Sequence, residues 1–354
     1  NSCENISWRN NIKDITMDKE RKTIYLCLAH MSEDGMEQKY VKEAFDTNWV
    51  VPLGPNVNGF EDDLKAFVSK NSDGTDLQKE VVALSAGTAA VHLALLACGV
   101  GPGDEVCVQS FTFCASSHPI TYLGATPVFI DSEPNTWNMD PELLEKAIID
   151  RKEKTGKYPK AIVPVALYGM PYDCDRIMAI ADKYGIPVVE DAAEGFGSRY
   201  KGQVLGTFGK FGVLSFNGNK MITTSGGGAL ICNDAESKNQ VMWYATQARD
   251  SYPYYQHTAI GYNYRMSNVC AGIGRGQMTV LEDHIAHHKH VQQLYKELLK
   301  DMEGITLHEA PNADYDSNFW LCTIVLDDKL KVKGQENAYK EVVKTAVGGA
   351  AGVI

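Results

Sequence analysis

The stretch GVLSFNGNKMITTSGGGALI, residues 212–231, contains two apolar runs with one lysine, Lys220, between them. The first run is short enough to form a buried strand, and the second begins at the three glycines 226–228. A polar Asn-Gly-Asn turn connects the first run to the lysine. Lysine is among the residues least often buried without a partner. Lys220 is therefore either an ordinary surface residue of a turn or a functional amine.

A carboxylate upstream favours the functional interpretation. The run IPVVED, residues 186–191, is typical of a buried strand and ends in Asp191. A buried strand that ends in a carboxylate, together with a lysine flanked by strands, suits pyridoxal phosphate. In that chemistry the lysine forms a Schiff base with the cofactor, and the aspartate keeps the pyridine nitrogen protonated. The sequence thus predicts a cofactor site that contains Lys220 and Asp191.

Apolar strands and amphipathic helices alternate through the first half of the chain. Strands are predicted at 81–85, 104–110, 126–131, 161–166 and 186–191, and helices at 87–99, near 114–123, from 141 onward and at 174–184. This alternation predicts an α/β fold with a mostly parallel central sheet covered by helices. Ligands of such sheets bind beyond the carboxyl ends of the strands. The residues expected there are Ser85, Phe111, Phe113, Ala166, Asp191 and Lys220.

The turn Ala86-Gly87-Thr88 has the features of a phosphate site. It lies between a predicted strand and the start of a predicted helix, where free N–H groups and the helix dipole attract anions. Gly87 permits close approach, and the Thr88 hydroxyl can add a hydrogen bond. Ser215, near the end of the strand that precedes Lys220, is a further candidate for a phosphate contact.

Two more residues of this region allow two interpretations each. Phe113 can stack on a planar cofactor ring, or it can pack in the core. Glu194, three residues after Asp191, can contact the phenolic oxygen of the cofactor, or it can be a solvated loop carboxylate. The sequence leaves both alternatives open.

Composition excludes several classes of protein. The chain has 354 residues and a formal net charge of −11, and no lysine or arginine block indicates a nucleic-acid partner. No apolar run approaches the roughly 20 residues that a membrane span needs, and no secretory signal core is present. The nine cysteines form no CxxC pair. These features predict a cytoplasmic protein with reduced cysteines.

Two other cofactor types are not supported. The glycine-rich segments 99–103 and 272–276 do not open a helix directly after a strand, so neither is a dinucleotide fingerprint. Histidines 284, 287, 288 and 290 resemble metal-ligand spacing on a helix. No carboxylate or cysteine partner is evident in the sequence, so we expect a solvated helix face and no metal.

The motifs, taken together, resemble the DegT-type sugar-nucleotide aminotransferases. They are SAGTAAVHLAL, SFTFCASSHPITYLGATPVFID, VEDAAEGFGS, LGTFGKFGVLSFNGNKMITTSGGG and GYNYRMSN, which occur in the family's order from about Ile24 to about Leu326. The resemblance implies a fold-type I enzyme that uses pyridoxal phosphate. SFNGNK, TQARD and GYNYR are most similar to the branch that aminates UDP-4-keto-6-deoxy-N-acetylglucosamine toward N-acetylbacillosamine-type glycans.

The resemblance also implies residue roles. Lys220 carries the cofactor, Asp191 faces the pyridine nitrogen, and Glu194 lies near the ring oxygen. The remaining implied contacts are Gly87, Thr88 and Ser215 to the phosphate, Phe113 to the ring, Asn217 to the cofactor, and Asn263 to the phosphate of a neighbouring subunit. A homodimer with two shared active sites is therefore expected.

Three regions are predicted along the chain. Residues 1–22 form an extension, 23–276 form the large cofactor-binding domain, and 277–354 form a linker helix and part of a small C-terminal α/β domain. The linker helix is predicted at 277–300, and a strand of the small domain at 319–326. The family's Arg-x-x-Trp-x-x-Met-His segment does not occur before Ile354. We therefore expect the small domain to be incomplete in this chain.

The resemblance implies transfer of an amino group from glutamate to the C4 keto group of a nucleotide-linked 4-keto-6-deoxy sugar. Two alternatives remain. A related sugar 3-dehydratase uses the same fold and cofactor but has histidine where this chain has Lys220. The second alternative is a protein that binds the cofactor, or only dimerises, without turnover.

Overall fold

The computed structural model describes residues 29–327. The predicted extension 1–22 and the last residues of the predicted small domain, 328–354, lie outside this range. Strands are β1 (Glu80–Leu84), β2 (Glu105–Gln109), β3 (Thr126–Ile130), β4 (Ala161–Val163), β5 (Val189–Asp191), β6 (Arg199–Tyr200), β7 (Gln203–Val204), β8 (Phe211–Ser215), β9 (Gly228–Cys232), β10 (Ile305–Leu307), β11 (Tyr315–Asp316) and β12 (Ile324–Leu326). Helices are α1 (Met36–Asp46), α2 (Pro55–Val68), α3 (Gly87–Ala97), α4 (His118–Tyr122), α5 (Pro141–Thr155), α6 (Cys174–Tyr184), α7 (Ala235–Ala245), α8 (Asn268–Met278) and α9 (Leu281–Leu299).

The central sheet has the strand order β3-β2-β4-β5-β8-β9-β1. Parallel bridges Ile162–Val188 and Val165–Asp191 join the β3-β2-β4 part to the β5-β8-β9-β1 part. Within residues 29–327, β9 is the one strand of this sheet that runs antiparallel to its neighbours. The connection between β8 and β9, residues 216–227, consists of turns without a helix, and β9 returns in the opposite direction. The mostly parallel sheet predicted from the sequence is thus confirmed.

Helix α3 lies at the centre of the core. Its residues are almost all apolar, and most of them are buried against strands β8 and β9 and helices α4 and α7. A helix that is apolar on every side can be stable in water only when neighbouring elements surround it. Because α3 begins at Gly87, this packing fixes the predicted phosphate turn rigidly at one end of the sheet.

Helix α5 has a side-chain cap at its N-terminus. Asp140 is the N-cap of α5, where its carboxylate accepts hydrogen bonds from the N–H groups of Glu142 and Leu143 at 2.7 and 3.1 Å. Pro141 follows in the first turn, where a missing N–H costs nothing.

Two sequence predictions were wrong in extent. The helix predicted at 277–300 begins only at Leu281, as α9, because the backbone leaves helical geometry at Val280, which has a φ of −119°, and residues 277–278 belong to α8. The strand predicted at 319–326 pairs only over Ile324–Leu326, with β10. Phe319 has a φ of +48°, which is incompatible with an extended strand.

Helices α2, α7 and α8 were not predicted from the sequence.

Within the described range, no helix combines the length and the apolar character needed to cross a membrane.

Candidate active site

The connection between β8 and β9 carries Lys220. The N–H of Phe216 donates to the Gly227 carbonyl at 2.9 Å, and the N–H of Lys220 donates to the Asn217 carbonyl at 3.0 Å. These bonds close the connection into a short, ordered loop between two buried strands, as the sequence predicted. The residues that follow Lys220, Met221 and Ile222, are buried and anchor the loop on the core.

The amine of Lys220 is enclosed and partnered. Its side chain is 13% exposed, and its Nζ lies 3.5 Å from Glu194 Oε1, whose side chain is 9% exposed. On another side, the Nζ lies 4.2 Å from the ring centroid of Trp320. The interpretation of Lys220 as an ordinary surface residue is therefore wrong.

Glu194 is held by a backbone donor as well as by the lysine. Its Oε2 accepts a hydrogen bond from the N–H of Tyr168 at 2.7 Å. Burial raises the pKa of the Glu194 carboxyl above its usual value, and the Lys220 amine and the Tyr168 N–H oppose that rise. Glu194 is thus not a solvated loop carboxylate, which was one of its two sequence interpretations.

Asp191 ends β5 and is buried. The Ser116 hydroxyl donates to its Oδ2 at 2.5 Å, and the N–H of Ala193 donates to its Oδ1 at 3.1 Å. Two oxygens of a carboxylate offer about four lone-pair sites. Asp191 therefore keeps capacity to accept a further donor, such as the N–H of a protonated pyridine ring.

The start of α3 and the end of β8 meet closely. A Cβ at Gly87 would lie 3.0 Å from Ser215 Cβ and 3.3 Å from Ser215 Oγ, and a Cβ at Gly228 would collide with the Gly87 nitrogen. The N-cap, Ala86, makes no side-chain hydrogen bond to the first turn, which begins at Gly87 and Thr88. First-turn N–H groups of a helix lack intrahelical partners and bind anions readily.

Three predicted contacts are exposed in the single chain. Phe113 is 51% exposed, so its interpretation as a core residue is wrong. Asn217 and Asn263 are exposed as well. Tyr264, the next residue after Asn263, accepts a hydrogen bond from the Ser85 N–H at 2.8 Å. The cofactor roles of these three residues stay predictions.

The histidine cluster on α9 is partly packed rather than solvated. His284 Nδ1 lies 3.2 Å from the Met221 carbonyl, and His288 Nδ1 lies 3.2 Å from the Phe319 carbonyl. The predicted solvated face is thus wrong for these two side chains, because α9 packs against the loop of Lys220 and the segment of Trp320. Among residues 29–327, no group of three or more His, Cys, Asp or Glu side chains is arranged to hold a metal ion.

Sequence reasoning missed three groups of the site. They are Ser116, which bonds Asp191, Tyr168, whose N–H holds Glu194, and Trp320, which faces the lysine. A serine among neighbouring serines, a tyrosine after a strand and a tryptophan in a predicted strand give no signal, because each contact depends on tertiary packing.

The groups present fit pyridoxal phosphate. An enclosed amine, a buried carboxylate with free accepting capacity and a helix N-terminus without a side-chain cap match the cofactor's aldehyde, ring nitrogen and phosphate in turn. Together with the sheet, these groups fit a lysine-dependent pyridoxal phosphate enzyme of fold type I.

The chain belongs to the DegT/DnrJ/EryC1/StrS aminotransferase family, whose model matches residues 31–348. The predicted family, fold class and aminotransferase activity are thereby confirmed.

Similarity to known proteins agrees with this membership. The chain is 47% identical to the Bacillus subtilis protein named putative pyridoxal phosphate-dependent aminotransferase EpsN, over 87% of this chain and 76% of that one. It is 39% identical to UDP-2-acetamido-2-deoxy-3-oxo-D-glucuronate aminotransferase of Pseudomonas aeruginosa, over 81% and 75% of the two chains. Among solved structures, a DegT/DnrJ/EryC1/StrS aminotransferase from Brucella abortus matches with a TM-score of 0.77 at 29% identity, over 89% and 79% of the two chains.

Proposed function

We propose that this chain transfers an amino group from glutamate to the C4 keto group of a UDP-linked 4-keto-6-deoxy-N-acetyl sugar, for a bacterial surface glycan or glycoprotein. Its cofactor is pyridoxal phosphate. One observation carries the aminotransferase part of the proposal: the enclosed Lys220 amine lies 3.5 Å from Glu194. The loop that carries Lys220 follows β8, which is the parallel neighbour of the strand that ends in Asp191. The similarity of SFNGNK and GYNYR to the UDP-sugar branch supports the choice of substrate.

Each site residue has a defined task. When bound, pyridoxal phosphate withdraws electrons from the carbon that loses its proton. The uncharged amine of Lys220 takes the α-proton of the amino donor and later returns a proton on the acceptor side. Asp191 accepts a hydrogen bond from the ring N–H and keeps that nitrogen protonated. Gly87, Thr88 and Ser215 hold the phosphate.

Glu194 holds the lysine amine when it is free and would face the ring oxygen of a bound cofactor. Because burial raises its pKa, Glu194 can also carry a proton at a pH where an exposed glutamate has none. The Tyr168 N–H keeps the carboxyl oriented toward Lys220 in either state.

The proposal includes a homodimer with shared sites, located in the cytoplasm. The exposed Asn263 is expected to reach the phosphate of the other subunit. The neighbouring segment 252–260 supports a subunit contact, because Tyr252, Tyr254, Tyr255 and Ile260 are strongly exposed apolar side chains. The cytoplasmic location has its support in the sequence composition.

A second candidate substrate has specific support. The Pseudomonas relative is named for a UDP-linked 3-oxo sugar. Amination of a C3 keto group of a UDP-N-acetyl sugar is therefore the alternative to amination at C4.

The two substrates can be compared directly. The purified chain would be incubated with pyridoxal phosphate, glutamate and either the UDP-linked 4-keto-6-deoxy sugar or the UDP-linked 3-oxo sugar, with the product measured by mass spectrometry. We expect an amino sugar from the 4-keto substrate. An amino sugar from the 3-oxo substrate alone would replace the proposed substrate with the alternative.

Two control variants complete the experiment. Lys220→Ala should give no product, whereas Lys183→Ala, which removes an exposed lysine of α6 paired with Glu145, should act as wild type. A deoxygenated product without nitrogen would indicate the dehydratase. Bound cofactor without any product from either sugar would indicate a binding protein without turnover.

A further inference from the structure

Trp320 forms part of the enclosure around the Lys220 amine. Its ring centroid lies 4.2 Å from Lys220 Nζ, and the residue itself is 6% exposed. An ammonium group over an indole face within about 6 Å is attracted by the ring quadrupole. Trp320 comes from the segment before β12, far along the chain from the strand connection of Lys220.

The indole also holds the loop that carries the lysine. Its Nε1–H donates to the carbonyl of Asn219, the residue before Lys220, at 2.6 Å. Trp320 thus contacts Lys220 twice, through the ring face at the amine and through the N–H at the adjacent peptide. A leucine is smaller than the indole and would provide neither contact.

Asn318 connects Trp320 to the other partner of the amine. It is fully buried, and its Oδ1 accepts the N–H of Trp320 at 2.8 Å. Its Nδ2 donates to the carbonyls of Glu194 and Phe196 at 3.0 and 2.9 Å. The backbones that carry the carboxylate and the indole are therefore fixed relative to each other through one amide side chain.

We propose that Trp320 is a positioning residue for Lys220: its ring holds the free amine beside Glu194, and its N–H fixes the loop from which the amine extends. The proposal rests on the role proposed for Lys220 as the cofactor-bearing lysine. During turnover that amine must leave the cofactor and return to it. A fixed aromatic wall keeps the released amine in place beside Glu194 between these events.

Trace acetylation of the cofactor-free full chain with acetic anhydride at constant pH tests this role. Acetylation requires that the reagent reach the amine, and loss of the indole face opens the enclosure around Lys220 Nζ. In Trp320→Leu we expect labelling of Lys220, measured by peptide mass spectrometry, to rise about three- to tenfold. Trp320→Phe keeps a weaker aromatic face and should give a smaller rise.

Two other lysines serve as internal controls. Lys79 is buried, and its Nζ donates a hydrogen bond to Asn233. Because Lys79 lies far from Trp320 in the sequence, its labelling reports general loosening of the fold. Lys152 lies 4.8 Å from the ring of Tyr158 on the surface. Tyr158→Leu is the matched variant, since it removes an aromatic face from a different lysine and should leave Lys220 unchanged.

The outcomes separate positioning from simple packing. A rise at Lys220 with unchanged Lys79 and Lys152 supports the proposal. Unchanged Lys220 in a folded Trp320→Leu chain overturns it, and so does an equal rise at all three lysines. If Trp320→Leu does not fold, Trp320→Phe decides by the same criteria. Because labelling needs neither cofactor nor sugar, failure of the proposed function and failure of this proposal are distinguishable.

Discussion

The amine of Lys220 lies 3.5 Å from Oε1 of Glu194, although 26 residues separate the two along the chain. They meet because β5 and β8 are parallel neighbours, so the segments that leave their carboxyl ends emerge at the same edge of the sheet. Asp191 pairs with Val213 in this register, which places Asp191 two residues before the level of Ser215. The site is thus a direct consequence of strand order.

Glu194→Gln should change the pH dependence of stability. Burial raises the pKa of Glu194 in the folded chain above its value in the unfolded chain. A raised carboxyl pKa stabilises the fold fully below the unfolded pKa, and this contribution is lost as the pH rises through the folded pKa. The melting temperature of Glu194→Gln relative to wild type should therefore rise from about pH 4 to pH 7. A difference that stays flat or falls over this interval would show that the wild-type carboxyl carries no such penalty.

Ser116→Ala should weaken the cofactor site through Asp191. The variant removes a buried hydroxyl that donates to Asp191 Oδ2 at 2.5 Å, a loss of about 1–3 kcal/mol in the free energy of unfolding. Ser117→Ala is the matched control, because Ser117 donates only to the Cys114 carbonyl at 3.2 Å. Urea unfolding and titration with pyridoxal phosphate should show a clear loss for Ser116→Ala and little for Ser117→Ala. Equal effects of the two variants would contradict the orienting role of Ser116.

Gly87→Ala should lower cofactor affinity at least tenfold while the fold is retained. The added methyl would lie 3.0 Å from Ser215 Cβ and displace the start of α3 from the end of β8. Gly101→Ala is the control, because a Cβ there meets no atom within 4 Å. Titration with pyridoxal phosphate measures the effect. An affinity of Gly87→Ala equal to that of Gly101→Ala would contradict the role of Gly87 at the phosphate site.

Arg265→Met should lower the free energy of unfolding more than the loss of an exposed ion pair does. Arg265 and Glu61 form a buried ion pair, and Glu61 Oε1 also accepts the Ala83 N–H at 2.8 Å. Removing Arg265 leaves the buried Glu61 carboxylate without its cationic partner, at a cost of about 3–5 kcal/mol. Lys183→Met, which breaks an exposed pair with Glu145, should cost less than about 1 kcal/mol. Similar losses in urea unfolding for the two variants would contradict the assigned burial.

The sequence predicted those elements of the fold whose formation depends on residues adjacent to one another in the chain. Asp191 and Gly87 could be placed because each lies at or just beyond the carboxyl end of a strand, and those ends of parallel strands share one edge of the sheet. Helix α8 was missed because three glycines at 272–276 weaken a helical pattern. The structure explains them: a Cβ at Gly272 would lie 3.2 Å from the Tyr40 backbone, and one at Gly274 would press into the Phe60 ring at 2.6 Å. Close packing against α1 and α2, rather than helix propensity, determines this element.

Side chains that reach the site from distant segments could not be found in the sequence. Trp320 lies in a segment whose apolar residues predicted a strand, and its contact with Lys220 depends on the turn at Phe319. Ser116 reaches Asp191 from the short helical turn after β2. Such contacts follow from packing between elements, which periodicity and spacing do not encode.

The central claim is that Lys220 bears the cofactor, and one measurement tests it most directly. The chain would be loaded with pyridoxal phosphate, reduced with borohydride to fix the bond between cofactor and lysine, and digested for peptide mass spectrometry. The account predicts the reduced cofactor on Lys220, and none there in Lys220→Arg. Attachment to a different lysine, or no attachment in a folded wild-type chain, would contradict it.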